Sequence, residues 1–370
     1  MKKSNANIKI IGVGGAGCNA VNHMIEETIE GVEFYGLNTD IQALQETDIV
    51  NKIQIGKKTT DGLGAGAEPS VGRASAEEDA EAIKHILEGT DMVFITAGMG
   101  GGTGTGAAPF IAKCAKEMGI LTVGVVTKPF SFENRDEYAE EGIANLQESI
   151  DSLIVIPNNK LRNSLGKDVS ILNAFMESNK VLFKAVKGIA ELITKPGIIN
   201  VDFADVKRVM KNSGMSMMGM GIANGENRVQ EALSQALNSE LLELSSIHGA
   251  RGILINVCGN MDLPLSEFEE VGNIVRQQLN DVVDDIKIIA GMSISNEVND
   301  NLMITIVATN LTSDPSSLPP INDLRNTGNH KLFEPSNLHK KDDVKKTEKT
   351  VDNSKKEEEW NLPDFLTIRE

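Results

Sequence analysis

Gly100-Gly101-Gly102-Thr103-Gly104-Thr105-Gly106 is the stretch on which the fold turns. It follows a strand-like apolar run at 91–97 and opens a helical pattern. A turn needs one or two glycines, and seven residues of Gly and Thr are costly in backbone entropy. A nest of backbone N–H groups at a helix N-terminus gives that cost a purpose, because phosphate binds there. A second loop of the same kind stands near the start, Gly12-Val13-Gly14-Gly15-Ala16-Gly17, after a buried strand at 8–13. Alone, its Gly-x-Gly-x-x-Gly spacing is a weak dinucleotide signal. A Rossmann oxidoreductase would want an acid ending the second strand, and Asn38-Thr39-Asp40 is ambiguous there. Two glycine loops on neighbouring strands suit a nucleoside triphosphate better than NAD or FAD.

Outward from these loops, strands alternate with helices. Residues 34–38, 121–126 and 152–156 read as further buried strands, and Ala20, Val21, Met24 and Ile25 mark one face of a helix after the first loop. This predicts an α/β, Rossmann-like domain with a mainly parallel sheet, its ligand lying beyond the carboxyl ends of the strands. From 170 to 193, Leu172, Phe175, Leu182, Val186, Ile189 and Ile193 recur at helical spacing until Pro196-Gly197. A smaller α+β region follows, with helices at 228–244 and 265–279 and strands at 252–258, 286–294 and 302–308. The expected organisation is a nucleotide-binding domain at 1–169, a central helix at 170–195 and a C-terminal domain at 196–311. A disordered linker at 312–359, rich in Ser, Pro, Asn and mixed charge, then leads to an apolar terminal peptide at 360–370.

Composition narrows the function. The formal net charge is -17, which argues against nucleic acid and against an anionic membrane surface without an adaptor. No run approaches the ~20 apolar residues that span a bilayer, and no secretory leader is read ahead of the first strand. Cys18, Cys114 and Cys258 are odd in number and widely spaced, which fits a reducing cytoplasm. The five histidines form no metal-ligand spacing, so no metal ligands are assigned. Neither Gly56-Lys57-Lys58 nor Gly166-Lys167-Asp168 completes a Walker loop. Asn159-Lys160-Leu161-Arg162 fails as a base-reading Asn-Lys-x-Asp motif.

The order GVGGAG at 12–17, LNTD at 37–40, GLGAGA at 62–67, GGGTGTG at 100–106, KPF at 128–130 and NVDFADV at 200–206 resembles the tubulin/FtsZ family of GTPases across residues 7–310. The resemblance implies GTP with Mg2+. It places phosphates at Gly14, Gly15, Ala16, Gly17 and Asn19, and at Gly102, Thr103 and Gly104. It puts Ala65, Gly66 and Ala67 near the γ-phosphate, Glu133 at the ribose, and Arg135 after it in a segment about two residues short of the family pattern. Asn19 has a plainer reading as a capping residue.

Asn200, Asp202 and Asp205 are the implied hydrolytic residues, since two carboxylates can polarise a water and help hold a cation. Asp202 and Asp205 also read as an N-cap and a capping-box acid. A central helix of about 24 residues spans ~36 Å, so these acids should serve a neighbour's nucleotide, in a head-to-tail homopolymer. A scaffold that binds GTP but hardly hydrolyses it stays open. At the base end the family offers an acid or amide where this chain has Lys180, in Ser178-Asn179-Lys180. An ammonium has donors only and cannot accept from guanine N1 and N2. Asn179 supplies that acceptor, or Lys180 contacts O6 or N7, with Phe175 stacked on the base, and poorer discrimination against ATP or ITP is expected; the plainer reading is that Lys180 points to solvent and changes nothing. The peptide with Trp360, Leu362, Phe365 and Leu366 resembles a docking tail for membrane-anchoring division proteins such as FtsA or ZipA. The implied location is cytoplasmic, at the division site beneath the inner membrane.

Overall fold

The structure is a computed structural model that describes residues 6–165, 169–195, 201–239, 241–242, 250–278, 286–294 and 300–311. All lie within one unit, Met1–Leu318. The second unit, Pro319–Glu370, lies outside the described residues, and so do the expected linker and terminal peptide.

The first part of the chain runs β1 (Ile8–Val13), α1 (Gly14–Glu26), β2 (Val32–Asn38), α2 (Ile41–Gln45), β3 (Asn51–Gln54) and α3 (Lys57–Thr60). It continues with α4 (Pro69–Glu78), α5 (Ala80–Leu87), β4 (Met92–Gly98), α6 (Thr103–Glu117) and β5 (Leu121–Lys128). A 3-10 turn at Ser131–Glu133 precedes α7 (Asp136–Ser149), β6 (Ser152–Pro157), α8 (Asn158–Ser164) and the central helix α9 (Ile171–Thr194). Then come α10 (Phe203–Met210), β7 (Gly214–Ala223), α11 (Arg228–Leu237), β8 (Gly252–Gly259), α12 (Leu265–Gln278), β9 (Lys287–Ile294) and β10 (Leu302–Thr309).

The strands form one sheet in the order β3-β2-β1-β4-β5-β6-β7-β10-β8-β9. Pairing is parallel from β3 to β7. β10 is antiparallel to β7 and β8, and β8 and β9 are again parallel. The expected α/β class, with a mainly parallel sheet and a separate C-terminal α+β domain, is what the chain adopts.

Alternation along the strands builds two cores. Ile8, Ile10, Met92, Phe94, Val123 and Val125 face α1 and α9. Ile11, Val13, Val93, Ile95, Ala97 and Val126 face α6 and α7. A third core joins α11 and α12 to β8 and β10. The central helix holds its place through Leu182, Val186, Ile189 and Ala190, all buried, and Ser170 caps its start by accepting from the Asn173 N–H.

Several boundaries differ from the sequence reading. The helix expected over 228–244 ends at Leu237, because the Asn238 side chain donates to the Ser234 carbonyl and satisfies the last turn. β3 and β7 are strands that the apolar pattern does not announce. The stop at Pro196-Gly197 lies outside the described residues; Lys195 is the last described residue there.

Candidate nucleotide site

The chain passes from β1 outward to β2 and β3, then returns to place β4 on the other side of β1. Strand order therefore reverses between β1 and β4, and an open α/β sheet has its crevice at such a point. Register sets the two glycine loops level, since Val13 at the end of β1 pairs with Ala97 of β4. Helix α1 starts at Gly14 and α6 at Thr103, and neither N-cap residue, Val13 or Gly102, makes a side-chain capping bond. The first N–H groups of both helices are left for a ligand.

Close approach explains the glycines. Gly14 has φ +72°, and a Cβ there would lie 2.9 Å from the Gly104 nitrogen. A Cβ at Gly17 would collide with the Thr96 carbonyl, and one at Gly104 would lie 2.8 Å from the Gly98 carbonyl oxygen. Gly15 is different: a Cβ there meets nothing within 4 Å, because it faces the crevice. Thr103 is tied to Thr39 by a hydroxyl–hydroxyl bond of 2.7 Å, and the Thr105 hydroxyl accepts from the Gly100 N–H at 2.9 Å. Ala65 packs on Gly102, where a Cβ would come within 2.9 Å of the Ala65 Cβ. Gly66 and Ala67 follow it with positive φ, +57° and +63°.

The cavity between the loops measures about 290 Å³. Gly14, Gly15, Ala16, Gly102, Thr103 and Gly104 form its end at the two helix N-termini, with Glu133 and Arg135 also lining it. One Glu133 carboxylate oxygen accepts from the Phe130 N–H at 2.8 Å, which fixes that turn. Phe175, Ser178, Asn179 and Leu182, on one face of α9, close the other end. Phe175 meets Phe130 edge-on, with centroids 5.3 Å apart. Larger hollows of about 480 Å³ behind α6 and about 950 Å³ beside Phe132 are not lined by the first glycine loop, so neither lies between the two loops.

Of the residues singled out in the sequence, Gly14, Gly15, Ala16, Gly102, Thr103, Gly104, Glu133, Arg135, Phe175 and Asn179 line this one cavity. Gly17 is buried beneath it, Asn19 is exposed on α1, and 65–67 form a rim over Gly102. Lys180 does not line it: its ammonium pairs with Glu177 at 2.6 Å on the flank of the helix. The sequence reading missed Asn158 and Ser178, which both line the cavity and are each 3% exposed. The signal for Ser178 is a polar residue on an apolar helical stripe.

Asp202 and Asp205 lie beyond the far end of α9. Asp202 stands at the N-cap of α10 but makes no side-chain capping bond, and it is exposed. Asp205 is partly exposed, with an oxygen 3.8 Å from Arg208. Val206, Val209 and Met210 bury one side of α10, while Asp202 precedes the helix exposed and Asp205 lies half-buried on its flank. Asn200 lies outside the described residues. No cluster of three or more His, Cys, Asp or Glu able to hold a metal ion occurs among the described residues. No helix among them is long and apolar enough to cross a membrane.

The family described as tubulin/FtsZ family, GTPase domain matches residues 7–166, and the FtsZ family, C-terminal domain matches 214–312. The chain is 50% identical over 379 residues to the cell division protein FtsZ of Buchnera aphidicola subsp. Acyrthosiphon pisum, covering 99% of this chain and 97% of that one. It is 50% identical over 373 residues to that of Coxiella burnetii, covering 98% and 96%. Among solved structures it is similar to an empty FtsZ dimer from M. jannaschii, with TM-score 0.79, 46% identity and coverage of 83% and 89%.

Proposed function

The chain belongs to the tubulin/FtsZ GTPase family, its curated relatives are cell-division proteins, and from that premise we propose that it binds GTP, assembles head to tail and hydrolyses GTP between subunits. One observation carries this reading. The cavity lies against Phe175, Ser178, Asn179 and Leu182 in the first half of a 24-residue helix, and the two acids follow its last residue in the chain. From Ser178 to the end of that helix is ~24 Å at ~1.5 Å per residue, too far for one subunit's acids to serve its own cavity. A second copy stacked head to tail would bring them to the cavity of its neighbour, and a contact that does not close makes a filament. The M. jannaschii relative is a dimer, which supports self-association.

The donor set fits a nucleoside polyphosphate. Two helix N-termini, the glycine backbone, the Thr103 hydroxyl and Arg135 offer donors and positive potential where phosphates would lie. The Phe175 ring and Leu182 suit a base. Protein ligands alone do not make a Mg2+ cage among the described residues, and Mg2+ typically uses one or two carboxylates with phosphates and waters. Asp202 and Asp205 are the acids able to complete such a set across the contact, where the ion would neutralise phosphate charge. Their own part is to orient and polarise the attacking water, while the glycine loops hold the phosphates still.

The terminal peptide with Trp360 would join the filament to membrane-anchoring division proteins of the FtsA or ZipA kind. The proposed location is the cytoplasm at the division site, beneath the inner membrane. The test of the reading is GTP turnover per subunit against protein concentration. It should be near zero when subunits are dilute and rise steeply with assembly; constant turnover per subunit would overturn it.

A further inference from the structure

At the base end, Phe175, Ser178, Asn179 and Leu182 face Asn158, the first residue of α8. The Ser178 hydroxyl donates to the Asn158 Oδ1 at 2.7 Å. Both side chains are almost fully buried, at 3% exposure each. A side-chain amide has one acceptor oxygen and two donor hydrogens. With its oxygen engaged by Ser178, Asn158 has its Nδ2 donors left for a ligand. The neighbouring Asn159 is committed elsewhere, its Oδ1 accepting from the Ser131 N–H at 2.9 Å.

We propose that Ser178 is a positioning residue for base selection: by holding Asn158 it makes the cavity read the 6-oxo edge of a purine, with little reading of the 2-amino edge. The inference rests on the nucleotide-binding function proposed above. A 6-oxopurine offers acceptors at O6 and N7, which match the Asn158 donors. Adenine offers a donor at its 6-amino group, and donor against donor leaves both unpaired. A site built to hydrogen-bond one group rejects the analogue lacking it strongly, because its own buried polar groups are left unpaired. Reading guanine N1 and N2 needs an acceptor instead. Lys180 has none, and its partner Glu177 does not line the cavity. The Asn179 amide is the neutral acceptor that the helix face supplies, so a missing 2-amino group changes little.

Competition binding of GDP, IDP and ADP to the nucleotide-free full chain tests this, with thermal melting to verify folding. In the unaltered chain IDP should bind within roughly threefold of GDP, and ADP at least about tenfold more weakly. Ser178→Ala frees the amide and should lower the GDP/ADP ratio roughly two- to tenfold. Ser178→Thr keeps a hydroxyl and should restore the ratio. Asn158→Asp replaces donors with acceptors at the same shape and should lower the GDP/ADP ratio about tenfold or more, even if the serine variants fail to fold. Thr103→Ala, at the phosphate end, should weaken all three ligands alike. Uniform weakening in Ser178→Ala, an unchanged GDP/ADP ratio in Asn158→Asp, or IDP far weaker than GDP would overturn the inference while leaving nucleotide binding intact. Binding of none of the three would overturn the nucleotide-binding function itself, and the inference with it.

Discussion

Gly15 and Gly17 stand two residues apart and do different work. At Gly17 a Cβ would strike the Thr96 carbonyl, so α1 could not lie so close to β4. Gly17→Ala should destabilise the fold by about 1–3 kcal/mol, as overpacking does, and lower the melting temperature by several degrees. Gly15 has open space before it, on the side of the cavity. Gly15→Ala should melt like the unaltered protein but bind GDP at least about tenfold more weakly, because a methyl group blocks phosphate approach to the N–H groups. Equal effects of the two changes on melting would refute this division. Lys180 is engaged with Glu177 on the flank of α9. Lys180→Asp should therefore alter the GDP/IDP ratio less than about twofold, whereas a bond made to the base would be worth more. A shift of tenfold would put position 180 in the site. The glycine loops are legible in the sequence because a plain turn does not require seven Gly and Thr in a row. Asn158 is not, since it reads as an ordinary polar residue after a strand. Nor is the side on which Lys180 lies, which depends on a pairing one helical turn away.

Among the elements, the central helix is legible from apolar spacing alone, and β7 is not. Gly214–Ala223 is Gly-Met-Ser-Met-Met-Gly-Met-Gly-Ile-Ala, with none of the β-branched enrichment that marks a strand until Ile222. Its glycines answer to the helix packed against it. Gly219 and Gly221 share one face, and a Cβ on either would collide with α11 carbonyls, those of Ala236 and Ala232. β7 also joins the two domains' strands, pairing with β6 on one side and β10 on the other. Gly221→Ala should thus destabilise by about 1–3 kcal/mol while leaving GDP affinity in the folded protein within twofold. Chemical denaturation and GDP titration of the same variant check it; a large affinity loss without a stability loss would contradict the assignment. Asp202 makes the complementary point at the start of α10. The sequence allows a capping role, but the side chain makes no capping bond and points outward. Its exposure leaves the carboxylate available to a second subunit.

At the scale of the whole molecule, the long helix separates the candidate nucleotide cavity from the acids, and the proposed hydrolysis then depends on a second copy. The proposed docking peptide carries its own reporter, Trp360, the single tryptophan of the chain. Composition predicts that its fluorescence is water-like in the free protein and shifts to the blue on adding a membrane-anchoring division protein; a blue-shifted, quencher-protected Trp360 in the isolated subunit would contradict a free docking peptide. The most direct measurement of the central claim is GTP turnover in a mixture of two variants that fail for different reasons. Asp205→Ala keeps the cavity and should bind GTP but turn over almost none. Gly15→Ala keeps the acids and, at GTP too dilute to load it, should also turn over almost none. If each subunit completes its neighbour's site, as proposed, the mixture should recover turnover well above the sum of the two variants measured separately. A mixture no more active than that sum, or full activity from unaltered subunits too dilute to assemble, would contradict hydrolysis between subunits.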